Sequence, residues 1–215
     1  MRWPSLGDAV RHCKKFLQLN KVPPPRFEPH RVLGRVPAIG SRDLLGQYVT
    51  ATRTVHLYED LCATSSSPWV QWTLPGFKSD LSVFGITAHE CGHHFMHATG
   101  RARLIRDAVE HCRTLGEPGL TAYASTNLDE DFCEAFKLFV TNPSLLEMLR
   151  PVRYSLLAHA LELRPVETRG WREVLASSEP HLRICDAASE MKREADHIAI
   201  WVMSAHECPE EYPSH

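Results

Sequence analysis

Residues 84–97 read FGITAHECGHHFMH, and this stretch decides how the rest of the chain is interpreted. Within it, His89, Glu90 and His93 form the pattern H-E-x-x-H. On a helix, residues four apart lie on the same face, so that two imidazoles can reach one metal ion. Glu90 lies about 100° around the helix from His89, where its carboxylate can reach a water bound to that ion. Two nitrogen ligands, one general base and one open coordination position are typical of zinc hydrolases.

The residues around this motif indicate a buried helix rather than a solvated one. Apolar and small side chains precede the motif, and Phe95 and Met96 follow it. In a chain with 13 histidines, an H-E-x-x-H match alone is only moderately specific. A carboxylate buried between two histidines is costly, however, unless it is paired or linked to a metal. The context therefore favours a metal site over a chance match.

The composition is that of an ordinary globular chain. The 215 residues are 43% hydrophobic and 23% charged, which suits one domain with a sizeable core. The formal net charge of −2 gives no reason to expect a nucleic-acid or membrane partner. We therefore expect neither kind of partner.

The cysteines and the apolar runs indicate where in the cell the protein is expected. The seven cysteines are widely spaced and include no C-x-x-C pair, which favours reduced thiols over a disulfide framework. The chain begins without the apolar segment of a signal peptide, and no run approaches the length of a membrane span. We expect an intracellular, cytoplasmic protein, with a processed secreted form as the alternative.

The N-terminal third is predicted to contain one helix and a small β part. Hydrophobic spacing predicts an amphipathic helix over residues 5–20, with Ser5 and Asp8 forming a capping box. Alternating β-branched and aromatic residues predict strands at 27–33, 46–50 and 54–58. A long loop over 59–80 precedes the motif helix and is expected to form a cleft wall.

The remainder is predicted to be almost entirely helical. Helical spacing and turn residues predict the following helices: 81–99, 101–115, 129–140, 145–149, 154–163, 169–177 and 186–206. The tail, residues 208–215, is expected to be disordered. We interpret 1–215 as one α+β domain. Its parts are an N-terminal helix and β part (1–80), a zinc-site core (81–142), a helical part (143–207) and the tail.

A catalytic zinc ion usually has three protein ligands, and the motif helix does not supply the third. In the extended pattern H-E-x-x-H-x-x-G-x-x-H, Met96 occupies the glycine position and Thr99 that of the last histidine. His97 lies about 12 Å along the helix axis from His89, and His94 points away from the metal-facing side. We expect neither of these histidines to bind the ion.

The acidic start of the helix over 129–140 is the better source of a ligand. The negative charges of Asp129, Glu130 and Asp131 can all be stabilised by the positive end of the helix dipole. That interpretation does not account for Glu134, which lies in the second turn beside the apolar face. Glu130 and Glu134 are four residues apart on one side of the helix. This spacing suits a ligand carboxylate and a second carboxylate that orients a zinc-bound histidine.

Residues 123–136 read YASTNLDEDFCEAF. With the H-E-x-x-H motif, this segment resembles the glutamate-zincin metallopeptidases of the anthrax lethal factor type, to which the Pro-Pro endopeptidases are related. That group has the form Y-x-x-x-N-x-x-E-x-F-x-E-A-F, and each fixed residue of it is present here. The resemblance covers about residues 81–142, and the flanking segments match no subfamily.

The resemblance implies a zincin-like fold, in which a small twisted sheet lies over the motif helix and a mainly helical half follows. It also implies one catalytic Zn²⁺ and a role for six side chains: His89, His93 and Glu130 as zinc ligands, Glu90 as general base, Tyr123 facing the scissile carbonyl oxygen, and Glu134 as a supporting residue. The expected activity is that of a zinc-dependent endopeptidase with a protein or peptide substrate. The alternatives are a zinc hydrolase of a non-peptide amide and a catalytically silent zincin-fold interaction module.

Overall fold

The computed structural model describes residues 5–30, 45–58, 62 and 82–166. Four predictions lie outside these residues: the loop over 59–80 apart from Cys62, the helices at 169–177 and 186–206, and the tail. Within them the protein is α+β, with six α-helices and one three-stranded sheet. In the described part of the chain, every helix is too short or too polar to cross a membrane.

Helix α1, Leu6–Leu19, begins where the capping box was predicted. The Ser5 hydroxyl accepts a hydrogen bond from the Asp8 amide (3.3 Å), and the Ser5 amide donates to the Asp8 carboxylate (3.0 Å). This reciprocal pair satisfies amides that the first helical turn leaves without a partner. The buried side of α1 consists of Ala9, Cys13, Phe16 and Leu17.

The sheet contains β1 (Arg26–His30), β2 (Gly46–Val49) and β3 (Thr54–Tyr58), in the order β1-β3-β2. The central strand β3 runs parallel to β1 and antiparallel to β2. The predicted strands at 46–50 and 54–58 are confirmed to within one residue, and they pair as an antiparallel hairpin. For β1, the predicted residues 31–33 lie outside the described part of the chain.

One face of the sheet packs on helix α2, Val83–Ala98. Successive side chains of a strand alternate between the two faces, and Val55 and Leu57 of β3 are fully buried against Val83 and Ile86 of α2. The helix begins at its N-cap Ser82, whose hydroxyl accepts a hydrogen bond from the Gly85 amide. The predicted burial of the motif helix is confirmed.

Helices α3 (Ala102–Thr114) and α4 (Leu128–Thr141) follow. Gly100, with φ of +66°, takes the left-handed conformation that lets the chain turn from α2 into α3. The connector before α4 includes a short 3₁₀ helix, Ala124–Thr126, where no helix was predicted.

The predicted starts of the next two helices are wrong. Helix α5 spans Pro143–Leu149 and α6 spans Pro151–Ser155, so that each begins at a proline two or three residues before the predicted start. Proline suits the first helical position because its missing N–H would have no partner there. The chain then continues through a π-helical turn, Leu156–Ala160, instead of an α-helix to residue 163.

The main core lies between α1, α2 and α4. Its centre is aromatic: the Phe136 ring lies 5.4 Å from Phe16 and 5.5 Å from Phe95, measured between ring centroids. The apolar face predicted for α4 is confirmed, since its aromatic and aliphatic residues from Phe132 onward are buried. This core fixes α2 against α4, and the polar residues of the two helices meet at its edge.

Candidate metal centre

Helices α2 and α4 approach each other closely at Gly92. A Cβ atom at this position would lie 3.0 Å from the sulfur of Cys133 and 3.2 Å from its Cα, so any larger residue would push the helices apart. Gly92 lies between the two histidines of the motif in sequence. Its close packing therefore brings His89 and His93 within reach of the carboxylates of α4.

The three predicted ligand groups come together at this crossing. His89 Nε2 lies 2.9 Å from one carboxylate oxygen of Glu130, and His93 Nε2 lies 3.5 Å from the other. Ligand atoms on a tetrahedral zinc ion at about 2.0–2.1 Å are roughly 3.3–3.4 Å apart. The donor types suit a Zn²⁺ ion, and both distances lie within about 0.5 Å of this spacing.

Glu134 holds the other side of the His89 ring. Its Oε1 lies 2.9 Å from His89 Nδ1, which leaves Nε2 turned toward Glu130. Glu134 itself accepts hydrogen bonds from Lys137 Nζ (2.5 Å) and from the Thr121 hydroxyl (3.2 Å). A carboxylate that fixes the orientation of a metal-binding histidine is the supporting role predicted for Glu134.

The sequence did not indicate that Lys137 and Thr121 belong to this site. Lys137 is 1% exposed, and such burial of an ammonium group requires a paired charge. The sequence did contain one signal: Lys137 follows Glu134 by three residues on an otherwise apolar helix face, a spacing at which side chains meet. Thr121 lies in the connector before α4 and gave no comparable signal.

Mutual contacts set the charges of this network. Burial alone would lower the pKa of His89, but its hydrogen bonds to Glu130 and Glu134 raise it to about 9. Burial would raise the pKa of Glu134, yet the Lys137 charge and the bond to His89 hold it well below its usual range. His89 is therefore an imidazolium between two carboxylates. A metal ion that bound His89 would have to displace this proton.

Glu90 is buried beside the same histidines and is only 7% exposed. Burial raises the pKa of its carboxyl group, and the charges of His89 and His93 oppose that rise. The backbone of Tyr48 in β2 forms a hydrogen bond with the carboxylate. A Cβ atom on Gly46 would lie 2.7 Å from Ile86 Cγ2 and 3.0 Å from Glu90 Cγ. Strand β2 therefore lies directly against Glu90 and fixes its position.

Tyr123 lies at the start of the 3₁₀ turn, with its ring centroid 5.9 Å from that of His89. Its hydroxyl is hydrogen-bonded to Glu130. Burial and the neighbouring Glu130 carboxylate raise the pKa of Tyr123 far above neutrality. The hydroxyl therefore stays protonated and can act as a hydrogen-bond donor at the centre.

The other two histidines of the motif helix lie elsewhere. His94 Nε2 is 2.7 Å from the Pro23 carbonyl oxygen, and His94 Nδ1 is 3.2 Å from the Tyr48 hydroxyl. His97 is exposed and stacks on the Tyr48 ring at 6.0 Å. These positions agree with the expectation that neither histidine is a ligand.

The acids that flank Glu130 are engaged by arginines. Asp129 makes two hydrogen bonds to Arg106, at 2.6 and 2.7 Å. Asp131 is fully buried and pairs with Arg113 at 2.9 Å and with Arg153 at 2.8 Å. Of these three consecutive acids, Glu130 is therefore the one turned toward the histidines.

Cys133 offers a second candidate for the third ligand, to which the sequence gave no role. Its sulfur and one nitrogen each of His89 and His93 all lie within 4.8 Å of one another. Burial and the nearby carboxylates raise the pKa of this thiol, however, and a thiol must lose its proton to bind zinc. The ionised Glu130, already in contact with both histidines, is the better ligand.

Comparison of the chain with protein-family models, with curated proteins and with solved structures finds no match. The functional interpretation therefore rests on the residues of the site and on the resemblance in sequence.

Proposed function

We propose that this protein is a zinc-dependent endopeptidase of the glutamate-zincin type. One observation carries the proposal: His89, His93 and Glu130, from two different helices, converge at distances of 2.9 and 3.5 Å beside the buried Glu90. This set supplies three metal ligands and one general base, which together are the protein groups that zinc-assisted hydrolysis needs.

A zinc ion bound by His89, His93 and Glu130 would supply a Lewis acid that acidifies water and polarises a peptide carbonyl. Glu90 would accept the proton of the attacking water and deliver it to the leaving amine. Its raised pKa favours this role, because a base with a higher pKa accepts a proton more readily.

Tyr123 and Glu134 would support this reaction in different ways. The protonated Tyr123 hydroxyl would donate a hydrogen bond to the oxygen that becomes negative in the transition state. Glu134 would keep His89 Nε2 aimed at the ion through its bond to Nδ1. A cavity of about 470 Å³ is lined by His93 and Glu130 but not by Glu90 or Tyr123, so it reaches one side of the proposed centre.

Digestion of a peptide library by the wild-type protein and by Glu90→Gln tests the proposal. We expect the wild type to produce cleavage products that disappear with a chelator and return with Zn²⁺. Glu90→Gln should bind zinc but cleave nothing, whereas Glu147→Gln, a matched change at an exposed residue of α5, should behave as wild type. A fully active Glu90→Gln would contradict the mechanism.

Zinc content tests the ligand assignment separately. We expect Glu130→Ala to lose zinc and Asp129→Ala to retain it, because Asp129 is bound to Arg106 instead. Zinc binding without cleavage of any peptide, but with hydrolysis of small amides, would favour the non-peptide hydrolase. Zinc binding without either activity would favour the catalytically silent module.

A further inference from the structure

A second group of metal-binding side chains lies on the opposite side of the sheet. Glu28 and His56 are paired residues of the parallel strands β1 and β3, and His30 follows Glu28 by two residues on the same face. Val55 and Leu57, which alternate with His56, face α2. The group therefore lies on the sheet face turned away from the candidate metal centre.

The three side chains place their ligand atoms close together. His30 Nε2 lies 2.8 Å from His56 Nδ1, and His56 Nδ1 lies 3.4 Å from a carboxylate oxygen of Glu28. All three ligand atoms lie within 4.8 Å of one another, and each residue is half-buried. These separations resemble those of ligands around one small cation, which are roughly 3.3 Å for tetrahedral zinc.

Neighbouring residues hold the group in this arrangement. The His30 ring lies beside the rings of His56 and Tyr58, with ring centroids 5.0 and 5.3 Å apart and ring planes inclined by 29° and 27°. Arg26 Nε lies 3.1 Å from the second carboxylate oxygen of Glu28, so the oxygen nearer His56 stays available. The strands β1 and β3 would thus preform the backbone of the site, and the two imidazoles would move slightly apart to admit an ion.

The short contact between the two imidazoles is one that a cation can replace. Of the two facing nitrogens, one must donate a proton and the other accept it. If each neutral ring carries its proton on its other nitrogen, both facing nitrogens present lone pairs. Two imidazoles and one carboxylate are ligands that zinc and similar first-row divalent ions accept.

We propose that Glu28, His30 and His56 form a second binding site for a divalent transition-metal ion such as Zn²⁺. The ion would link the neighbouring strands β1 and β3 on the sheet face turned away from α2. This proposal is independent of the peptidase function, because it shares no residue with the centre at His89.

Zinc titration of the purified, chelator-treated chain tests the second site. We expect the wild type to bind two Zn²⁺ ions and His93→Gln, which disables the first centre, to bind one. The double variant His93→Gln/His30→Gln should lose this remaining ion, with affinity reduced by more than about 100-fold, because even loss of an outer-shell partner costs about 10–100-fold. His111→Gln, at an exposed histidine of α3, is the matched control and should change nothing.

The outcomes separate the two sites. Binding of one ion that is lost in His30→Gln but kept in His93→Gln would support the second site and contradict the first. Retention of the ion in both His93→Gln/His30→Gln and His93→Gln/His56→Gln would overturn the second site. Circular dichroism verifies that each variant is folded, and zinc should raise the melting temperature of His93→Gln but not that of the double variants.

Discussion

The charge on His89 makes a quantitative prediction for the metal-free protein. Its pKa is about 9 in the folded chain, against the ordinary 6.5. A pKa that folding raises stabilises the folded state fully below pH 6.5, and this stabilisation is lost as pH rises through about 9. The difference between the two values corresponds to about 3 kcal/mol, since each pKa unit is worth about 1.4 kcal/mol.

Urea unfolding of chelator-treated wild type and His89→Gln, followed from about pH 6 to about pH 10, measures this contribution. The comparison with the variant is needed because other groups titrate in the same range. Burial raises the pKa of Cys91 and of Cys133, so both chains lose stability as thiols ionise in the unfolded state. The difference in unfolding free energy between wild type and His89→Gln should fall by about 3 kcal/mol across this range.

A difference that stays constant over the whole range would refute the assignment of a charged His89 in the metal-free state.

The same assignment has a consequence for zinc. Since the ion must displace the His89 proton, the apparent zinc affinity should rise about tenfold per pH unit up to about pH 9. Proton release on zinc addition, measured by calorimetry in buffers of different ionisation enthalpy, provides an independent measurement.

Three further predictions concern residues around the centre. Glu130→Ala should weaken zinc binding by more than about 100-fold, whereas Cys133→Ser should leave zinc content unchanged; the reverse result would make the cysteine the third ligand. Gly46→Ala should reduce turnover by about 100-fold at unchanged zinc content, because its Cβ would displace the general base, while Gly7→Ala in α1 should be silent in peptide cleavage. Lys137→Met should destabilise the fold by about 3–5 kcal/mol in urea unfolding, because it removes one of the two cationic partners of the buried Glu134 carboxylate; a loss below about 1 kcal/mol would contradict this role.

Local sequence signals were sufficient where local interactions determine the structure. The capping box at Ser5 and the β2–β3 hairpin around residues 51–53 involve groups only a few residues apart. The motif helix was also predictable, because its apolar character is continuous along the sequence. In each case, the energy that fixes the element comes from neighbours in the chain.

Helix α6 shows why other elements were mispredicted. Its first amides, from Val152 and Arg153, donate to the carboxylate of Glu117, at 2.7 and 2.9 Å. This carboxylate caps the helix from a distant part of the chain, where a local pattern carries no signal. The predicted helix therefore began at residue 154, although the fold begins it at Pro151.

The same distinction applies to the candidate centre. Spacing along the chain indicated His89, Glu90 and His93, and the spacing of Glu130 and Glu134 indicated a second pair. It could not show that Gly92 permits the close approach of the two helices, or that Cys133 lies beside the histidines. Both facts depend on how α2 crosses α4, which is decided by packing of the aromatic core rather than by residues near the motif.

The charges of the centre suggest why a buried lysine belongs to it. The Glu134 carboxylate lies between two cationic groups, with its Oε1 2.9 Å from His89 Nδ1 and 2.5 Å from Lys137 Nζ. Glu134 and Lys137 are each only 1% exposed, and a charge at this depth is costly unless it is paired. A divalent ion bound to His89 would replace the proton of its imidazolium, so the ring would then be neutral. Lys137 would remain as the cation beside Glu134. We therefore infer that Lys137 keeps this carboxylate paired whether or not the centre holds an ion.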